Sequence, residues 1–287
     1  MFEAVTDDEA HRVVETAWQA GVRFFDTAPL YGSGLAERRL GAVLRTKPRD
    51  EYVLMTKVGR LLRADAAPDP DQSFKGIPPL NPAFDFSYDG VMRSVEESLE
   101  RLGLDRVDVL LIHDPDNHHE VALHGAYRAL DRLRSDGTIA AVGAGMNQTE
   151  MLVRFAHEAD FDCFLLAGRY TLLDRIGAKE LLPLCVQRGI AIIAGGVFNS
   201  GILADPAGDA RYNYRPAPPE LVMRALELKA ICERHSVDLK AAALQFPLRH
   251  PAVASVLTGP RSVAEINENI RMFQTPIPDD LWQEVGR

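Results

Sequence analysis

The sequence predicts an α/β protein, specifically a TIM-type (β/α) barrel. Three observations carry this. Short apolar, β-branched runs recur along the chain, apolar on both faces as buried parallel strands are. Amphipathic helical patterns separate them without a change of composition, which marks one α/β unit. No Gly-x-Gly-x-x-Gly fingerprint follows the first strand, against a dinucleotide fold with a doubly wound sheet. At 287 residues the chain fits one large domain, read as residues 1–287.

The elements follow in order. Thr6, with Glu9 three residues on, opens a helix over residues 11–20 as a capping box, and Gly21 stops it. Strands are expected at 23–28, 52–58, 107–113, 139–145, 161–168, 190–195 and 253–258. Ser87 or Asp89 starts a helix ending at Leu102, with Val91, Val95, Leu99 and Leu102 on one face and Gly103 as its stop. Further helices are expected at 119–135, from Asn147 or Thr149 to Ala159, and at 178–188, 218–235, 237–248, 263–272 and 279–285. Ser262 and Glu265 form a second capping-box pattern. Residues 63–86 and 205–219 are non-periodic and proline-rich, and such long loops often cover a site.

Composition narrows the function. The net charge of −9 lacks the basic footprint of nucleic-acid binding. No apolar run reaches the ~18 residues of a membrane span. Residues 1–8 are acidic and unlike a signal peptide. Three separated cysteines form neither a zinc knuckle nor a disulfide framework, so a cytoplasmic location is expected. His113, His118 and His119 are close in sequence, but the latter two lie past the strand, and no metal is expected.

In a barrel, chemistry gathers at the C-terminal ends of strands. Asp26, Tyr31, Lys57 and His113 close or follow three such runs. Singly, each has a plain reading: a turn cap, a loop aromatic, a snorkelling lysine, a core histidine. Jointly they form an acid–base set. Lys57 would favour the Tyr31 phenolate, Asp26 would keep Lys57 charged, and His113 would donate to a carbonyl or hydroxyl oxygen. No side chain donates hydride, so such a set requires a nicotinamide cofactor.

These residues lie in Asp26-Thr27-Ala28-Pro29-Leu30-Tyr31-Gly32, Thr56-Lys57 and Leu111-Ile112-His113-Asp114-Pro115-Asp116. In that order the segments resemble the DxAxxYG, strand-end Lys and IHxPD motifs of the aldo-keto reductases. Gly143-Ala144-Gly145-Met146-Asn147, residues 195–203 and residues 259–269 resemble that family's cofactor segments. A narrower likeness, in residues 86–89, 112–116, 167–174 and 195–201, points to the branch holding D-threo-aldose 1-dehydrogenase, L-fucose (galactose) dehydrogenase and pyridoxal 4-dehydrogenase. The resemblance implies oxidation of an aldose to its lactone, or the reverse carbonyl reduction. Pyridoxal or general aldehyde chemistry is an alternative, as is a cofactor-binding regulatory barrel. The partner would be a small molecule.

The resemblance assigns Tyr31 as general acid/base, Lys57 and Asp26 as its tuning pair and His113 as substrate donor. It places Asn147 on the nicotinamide carboxamide. Gly196, Val197, Phe198 and Gly201 would lie along the pyrophosphate. Gly259, Arg261, Glu265 and Asn269 would lie near the adenosine. Four positions depart from the family pattern. Met146 replaces the GxSN serine, Ala167 a glutamine and Gly195 the nicotinamide-stacking aromatic. Glu265 stands where many NADP-using relatives carry arginine, so NAD is expected, with NADP as the alternative. In the family register Asp26 ends the second barrel strand, so the first strand is expected to be missing from this chain.

Overall fold

The structure is a computed structural model and describes residues 4–68 and 74–286. Its parallel sheet runs β1 (Phe24–Asp26), β2 (Val53–Val58), β5 (Val109–His113), β6 (Ala141–Met146), β7 (Cys163–Ala167), β8 (Ala191–Gly195) and β11 (Val253–Val256), in chain order. These are the seven expected strands, most of them shortened by one to three residues, while β6 runs one residue past its expected end. β5, Val-Leu-Leu-Ile-His, is buried at every position, as a two-sided parallel strand requires.

The described residues group into two compact units. The first runs to Met146 and takes in His157–Phe164 and Pro260–Ile266. In it β1 pairs with β2, β2 with β5 and β5 with β6, all parallel. This register sets Asp26 opposite Met55, Lys57 opposite Leu111 and His113 opposite Gly145. Helices α1 (Asp7–Gln19), α2 (Leu35–Leu44) and α3 (Tyr88–Leu102) belong to this unit. Ser87 Oγ caps α3 by accepting from Gly90 N, and Gly103 ends it at φ +65°. Helix α2 was not expected, because Gly34 and Gly41 interrupt its pattern. Gly41 is required there: a Cβ would lie 2.0 Å from the Leu102 carbonyl oxygen.

Three local expectations are corrected. Thr6 Oγ1 caps α1 through Glu9 N, but the Glu9 carboxylate turns away from the cap. It accepts from Val263 N at 2.9 Å, joining residues 254 apart in the chain. Residues 119–135 are not one α-helix but α4 (His119–Val121), a π-helical turn (Ala122–Tyr127) and α5 (Arg128–Ser135). Gly125 sits in that turn, where its Cβ would be 2.4 Å from the Phe86 carbonyl oxygen. The two long loops are not irregular throughout. Antiparallel hairpins form between β3 (Arg60–Arg63) and β4 (Asn81–Phe84), and between β9 (Arg211–Tyr212) and β10 (Arg215–Pro216). Both were hidden because each strand is too short for periodicity to register.

The second unit holds Asn147–Ala156, Leu165–Gly259 and the chain from Asn267. β8 and β11 pair in it, beside α7 (Leu181–Arg188), α8 (Pro219–Arg234) and α9 (Leu239–Gln245). Its core includes Ile192, Leu203, Leu228, Cys232 and Ala241 through Ala243. Helices α6 (Thr149–Glu158), α10 (Val263–Gln274) and α11 (Asp279–Val285) complete the chain. The expected helix over 237–248 ends early at Gln245, because Pro247 has no N–H to continue it and a 3-10 turn follows.

Candidate active site

Strand ends β1, β2 and β5 bring four of the expected residues together. The Lys57 ammonium is 1% exposed and donates to both Asp26 carboxylate oxygens, at 2.7 and 2.8 Å, and to the Thr27 carbonyl at 2.9 Å. Nζ also lies 4.6 Å from the Tyr31 ring centroid. Tyr31 comes from the loop after β1, and its ring meets His113 edge-on at 5.8 Å. Below them, Glu37 of α2 is fully buried and accepts from Thr56 Oγ1 (2.8 Å) and Arg101 Nε (2.6 Å). Thr56 precedes Lys57, so this clamp ties the helix after the Tyr31 loop to the strand carrying the lysine.

Electrostatics give the four groups distinct states. Burial alone would lower the Lys57 pKa, but Asp26 and then Tyr31 more than offset it, and the ammonium is held charged. Burial raises the Asp26 carboxyl, with Lys57 opposing. Burial also raises the Tyr31 phenol above its ordinary value, and Lys57 only partly reverses this. In the free protein Tyr31 is therefore a neutral phenol rather than the phenolate the residue pattern pointed to. Burial, then the charges of Arg60 and Lys57, push His113 well below the usual histidine range. The imidazole is neutral. Its Nε2 is 3.5 Å from Asp114 Oδ2, which favours the tautomer with the proton on Nε2, while Nδ1 has no partner among the described residues.

The residue pattern did not single out the neighbours of this set. Arg60 Nη2 donates to Asp114 Oδ2 at 2.7 Å. Asp114 takes φ +40°, and its N–H is held by the Gly145 carbonyl. Phe84, 53% exposed, stacks on His118, which also packs on Phe86. Gly59, at φ +98°, turns the chain from β2 into β3, and only glycine fits there: a Cβ would be 2.1 Å from the Phe86 ring. The available signal was position: Arg60 is three residues past Lys57, and Asp114 follows His113 inside a quoted motif.

The second unit has its own cleft, with a cavity of about 460 Å³ lined by Asn147, Arg169, Tyr212, Asn213, Arg215, Pro216 and Pro218. The β9–β10 hairpin forms one wall. Asn213 and Tyr214 at its tip both have positive φ, the two-residue turn such hairpins favour. Tyr212 Oη donates to Asp174 Oδ2, and Tyr214 N to Ser200 Oγ. Of the expected cofactor residues, Asn147 alone lines this cavity. Residues 196–201 form a turn in which Gly196, Asn199, Ser200 and Gly201 all take positive φ. Gly196 is exposed, Val197 buried and Phe198 half-buried, and a Cβ on Gly201 would meet nothing within 4 Å. Open backbone in this conformation, without a carboxylate side chain in the segment, suits phosphate oxygens.

In the 259–269 segment Gly259 is exposed and open, and Asn269 is half-buried on α10. Arg261 and Glu265 meet here. The guanidinium donates to Glu265 Oε1 at 2.6 and 3.0 Å, and Arg261 N donates to Oε2 at 2.7 Å. Ser262 Oγ accepts from Glu265 N.

A family profile described as the aldo/keto reductase family matches residues 2–287. The chain belongs to the aldo/keto reductase family. It is 46% identical to a D-threo-aldose 1-dehydrogenase of a Pseudomonas species, over all of this chain and 89% of that one. It is 43% identical to a pyridoxal 4-dehydrogenase of Microbacterium luteolum, over 98% of this chain and 88% of that one. Among solved structures, a glycerol dehydrogenase of Gluconobacter oxydans aligns at a TM-score of 0.79 and 22% identity, covering 99% of this chain and 86% of that one. An aldo-keto reductase of Bacillus halodurans in its holo form aligns at 0.76 and 23%, covering 99% and 88%. These likenesses show the fold, a TIM-type barrel.

The chain is thus an oxidoreductase of the aldo/keto reductase family, which uses a nicotinamide cofactor and a small-molecule substrate. No helix among the described residues is long and apolar enough to cross a membrane. Two of the departures from the family pattern, Met146 and Gly195, sit in packed surroundings. Met146 is 2% exposed, its side chain packed in the core. At Gly195 a Cβ would lie 3.1 Å from Leu165 Cδ2, so Leu165 fills the room an aromatic would need. Ala167 is half-buried at the end of β7.

Proposed function

We propose that this aldo/keto reductase oxidises a free aldose at C1 to its lactone, with NAD as the preferred cofactor. The observation that carries the reaction class is the buried Lys57–Asp26 pair beside Tyr31 and His113. The aldose follows from 46% identity, across the whole chain, to a D-threo-aldose 1-dehydrogenase. Pyridoxal is the second reading, favoured by the 43% relative and by the Phe84–His118 stack, which offers a planar ring an aromatic partner. NADH formation with L-fucose, D-arabinose, D- and L-galactose and pyridoxal separates the two. Turnover of pyridoxal alone overturns the aldose reading.

A bound nicotinamide supplies the acceptor for the hydride leaving the substrate carbon. The side chains manage the proton. Neutral His113 donates from Nε2 to the reacting oxygen and orients it. Tyr31 Oη takes the hydroxyl proton during oxidation and returns it during reduction. Lys57, charged through Asp26, opposes the cost of a buried phenolate. Asn147 would hold the nicotinamide carboxamide, Gly196, Val197, Phe198 and Gly201 the pyrophosphate, and Gly259, Arg261, Glu265 and Asn269 the adenosine. The three described cysteines are all free and buried, which suits a reducing, cytoplasmic setting.

Because burial holds Tyr31 protonated, the two directions respond oppositely to pH. Oxidation needs the phenolate, so its kcat/KM at saturating cofactor rises from about pH 7 toward 10. Reduction needs the phenol, so its rate holds at neutral pH and falls as Tyr31 ionises. His113 adds no limb above its ordinary range, since it is already neutral there. A flat oxidative profile over that span removes Tyr31 from the role.

The Arg261–Glu265 pair supports the cofactor preference. The carboxylate occupies the guanidinium that a 2′-phosphate would use, and repels that phosphate itself. Glu265→Arg is expected to shift the NAD-to-NADP ratio of kcat/KM toward NADP by about tenfold or more. A wild-type enzyme that prefers NADP contradicts the proposal.

A further inference from the structure

The Arg60–Asp114 pair is engaged on one side only. Arg60 Nη2 and His113 Nε2 both approach Asp114 Oδ2, at 2.7 and 3.5 Å. Among the described residues no donor bonds Oδ1, and Arg60 Nη1 has no acceptor. Arg63 and Glu97, by contrast, make a two-pronged contact. The carboxylate is 31% exposed, whereas the guanidinium is mostly covered and lies 5.1 Å from the Phe84 ring centroid. Arg60 Nε is buried without a partner, so the arginine is held in place by packing and charge as much as by hydrogen bonds. An unfilled acceptor therefore sits beside an unfilled donor, next to the imidazole that faces the reacting oxygen.

One hydroxyl group satisfies both, giving its proton to the carboxylate and a lone pair to the guanidinium. The spacing selects which hydroxyl. Oδ2 stands 3.5 Å from His113 Nε2, a little beyond hydrogen-bond length. Neighbouring oxygens of a vicinal diol are separated by a similar distance. A substrate whose reacting oxygen meets His113 thus brings the oxygen of its adjacent carbon to Arg60 and Asp114. The exposed Phe84 ring, stacked on His118 at 5.6 Å, provides a flat apolar wall beside the pair, suited to the C–H face of a sugar ring.

We propose that Arg60 and Asp114 form the subsite for the substrate hydroxyl next to the reacting carbon, walled by Phe84 and His118. This rests on the aldose reading and specifies it: C2 must carry a hydroxyl. The pair makes the enzyme select 2-hydroxy aldoses over 2-deoxy ones. Once a bound sugar covers the pair, a donor and an acceptor left unfilled are what penalise the deoxy sugar.

The experiment compares kcat/KM for D-arabinose with that for 2-deoxy-D-ribose, which is D-arabinose without its C2 hydroxyl. The enzymes are wild type, Asp114→Asn and Arg60→Met, all at saturating NAD. Wild type is expected to favour arabinose, and each variant to reduce that preference about tenfold or more, mainly through the KM for arabinose. Turnover of the deoxy sugar doubles as the check that each variant is folded. If both sugars lose activity equally, the pair acts only by orienting His113 and the subsite is refuted. An unchanged preference also refutes it. If wild type turns over pyridoxal but no aldose, the aldose reading fails and takes the subsite with it. Arabinose activity with an unaltered ratio overturns the subsite alone.

Discussion

Tyr31→Phe is expected to lower kcat by about 10²–10⁴-fold in both directions, the usual contribution of a positioned proton donor or acceptor. The change deletes one oxygen atom and keeps the ring that packs edge-on against His113. Cofactor affinity is therefore expected to move little, measured as the Kd for NAD or NADH by fluorescence titration. KM for substrate should also change less than kcat, because the lost interaction belongs to the proton transfer. The variant should also lose the alkaline rise of oxidation, since no phenol remains to ionise. A variant retaining near-normal turnover would remove Tyr31 from the proton path.

Lys57→Met is the second large effect, and it strikes both stability and chemistry. The ammonium is almost fully buried and satisfies both Asp26 oxygens. Removing it strands a carboxylate in a site with little water, a loss of about 3–5 kcal/mol. For a chain of this length that corresponds to a Tm drop on the order of 10 °C, read by thermal unfolding. Burial already raises Asp26, and without Lys57 nothing opposes that rise. A carboxyl whose folded pKa exceeds its unfolded one contributes stability at low pH and loses it as pH rises, so the deficit is expected to widen from acid toward neutral pH. Catalytically, Tyr31 loses the cation that pulls it down. Oxidation should fall about a hundredfold or more, with its remaining pH profile displaced upward. The double variant Asp26→Asn with Lys57→Met should recover part of the stability and none of the activity. Recovery of activity in it would show that the pair is structural alone.

Much of this protein was legible in the sequence, because its strands are short apolar runs buried on both faces, and Leu111-Ile112-His113 announces strand, core and site together. The capping positions Thr6 and Ser87 were legible for the same local reason: their side chains serve donors three residues away. What escaped depended on partners far along the chain. Helix α2 is held by a glycine that lets its backbone touch Leu102. β3 exists because it pairs with β4 after a proline-rich stretch. Glu9 looked like half of a capping box and serves Val263 instead.

The candidate site divides in the same way. The identities of Asp26, Tyr31, Lys57 and His113, and the chemistry they can perform, follow from sequence, since strand ends in a barrel converge whatever fills the loops. The charge states of those residues were settled by tertiary structure. Lys57 holds its proton because Asp26 lies 2.7 Å away. Tyr31 is a phenol because burial outweighs that cation, and His113 is neutral because it is buried and because Arg60 and Lys57 face it. Desolvation and pairwise charge depend on distance and on excluded water, and neither quantity is written in residue order. The Arg60–Asp114 pair also arises from tertiary structure, through Gly59 turning one segment back toward a residue more than fifty positions later.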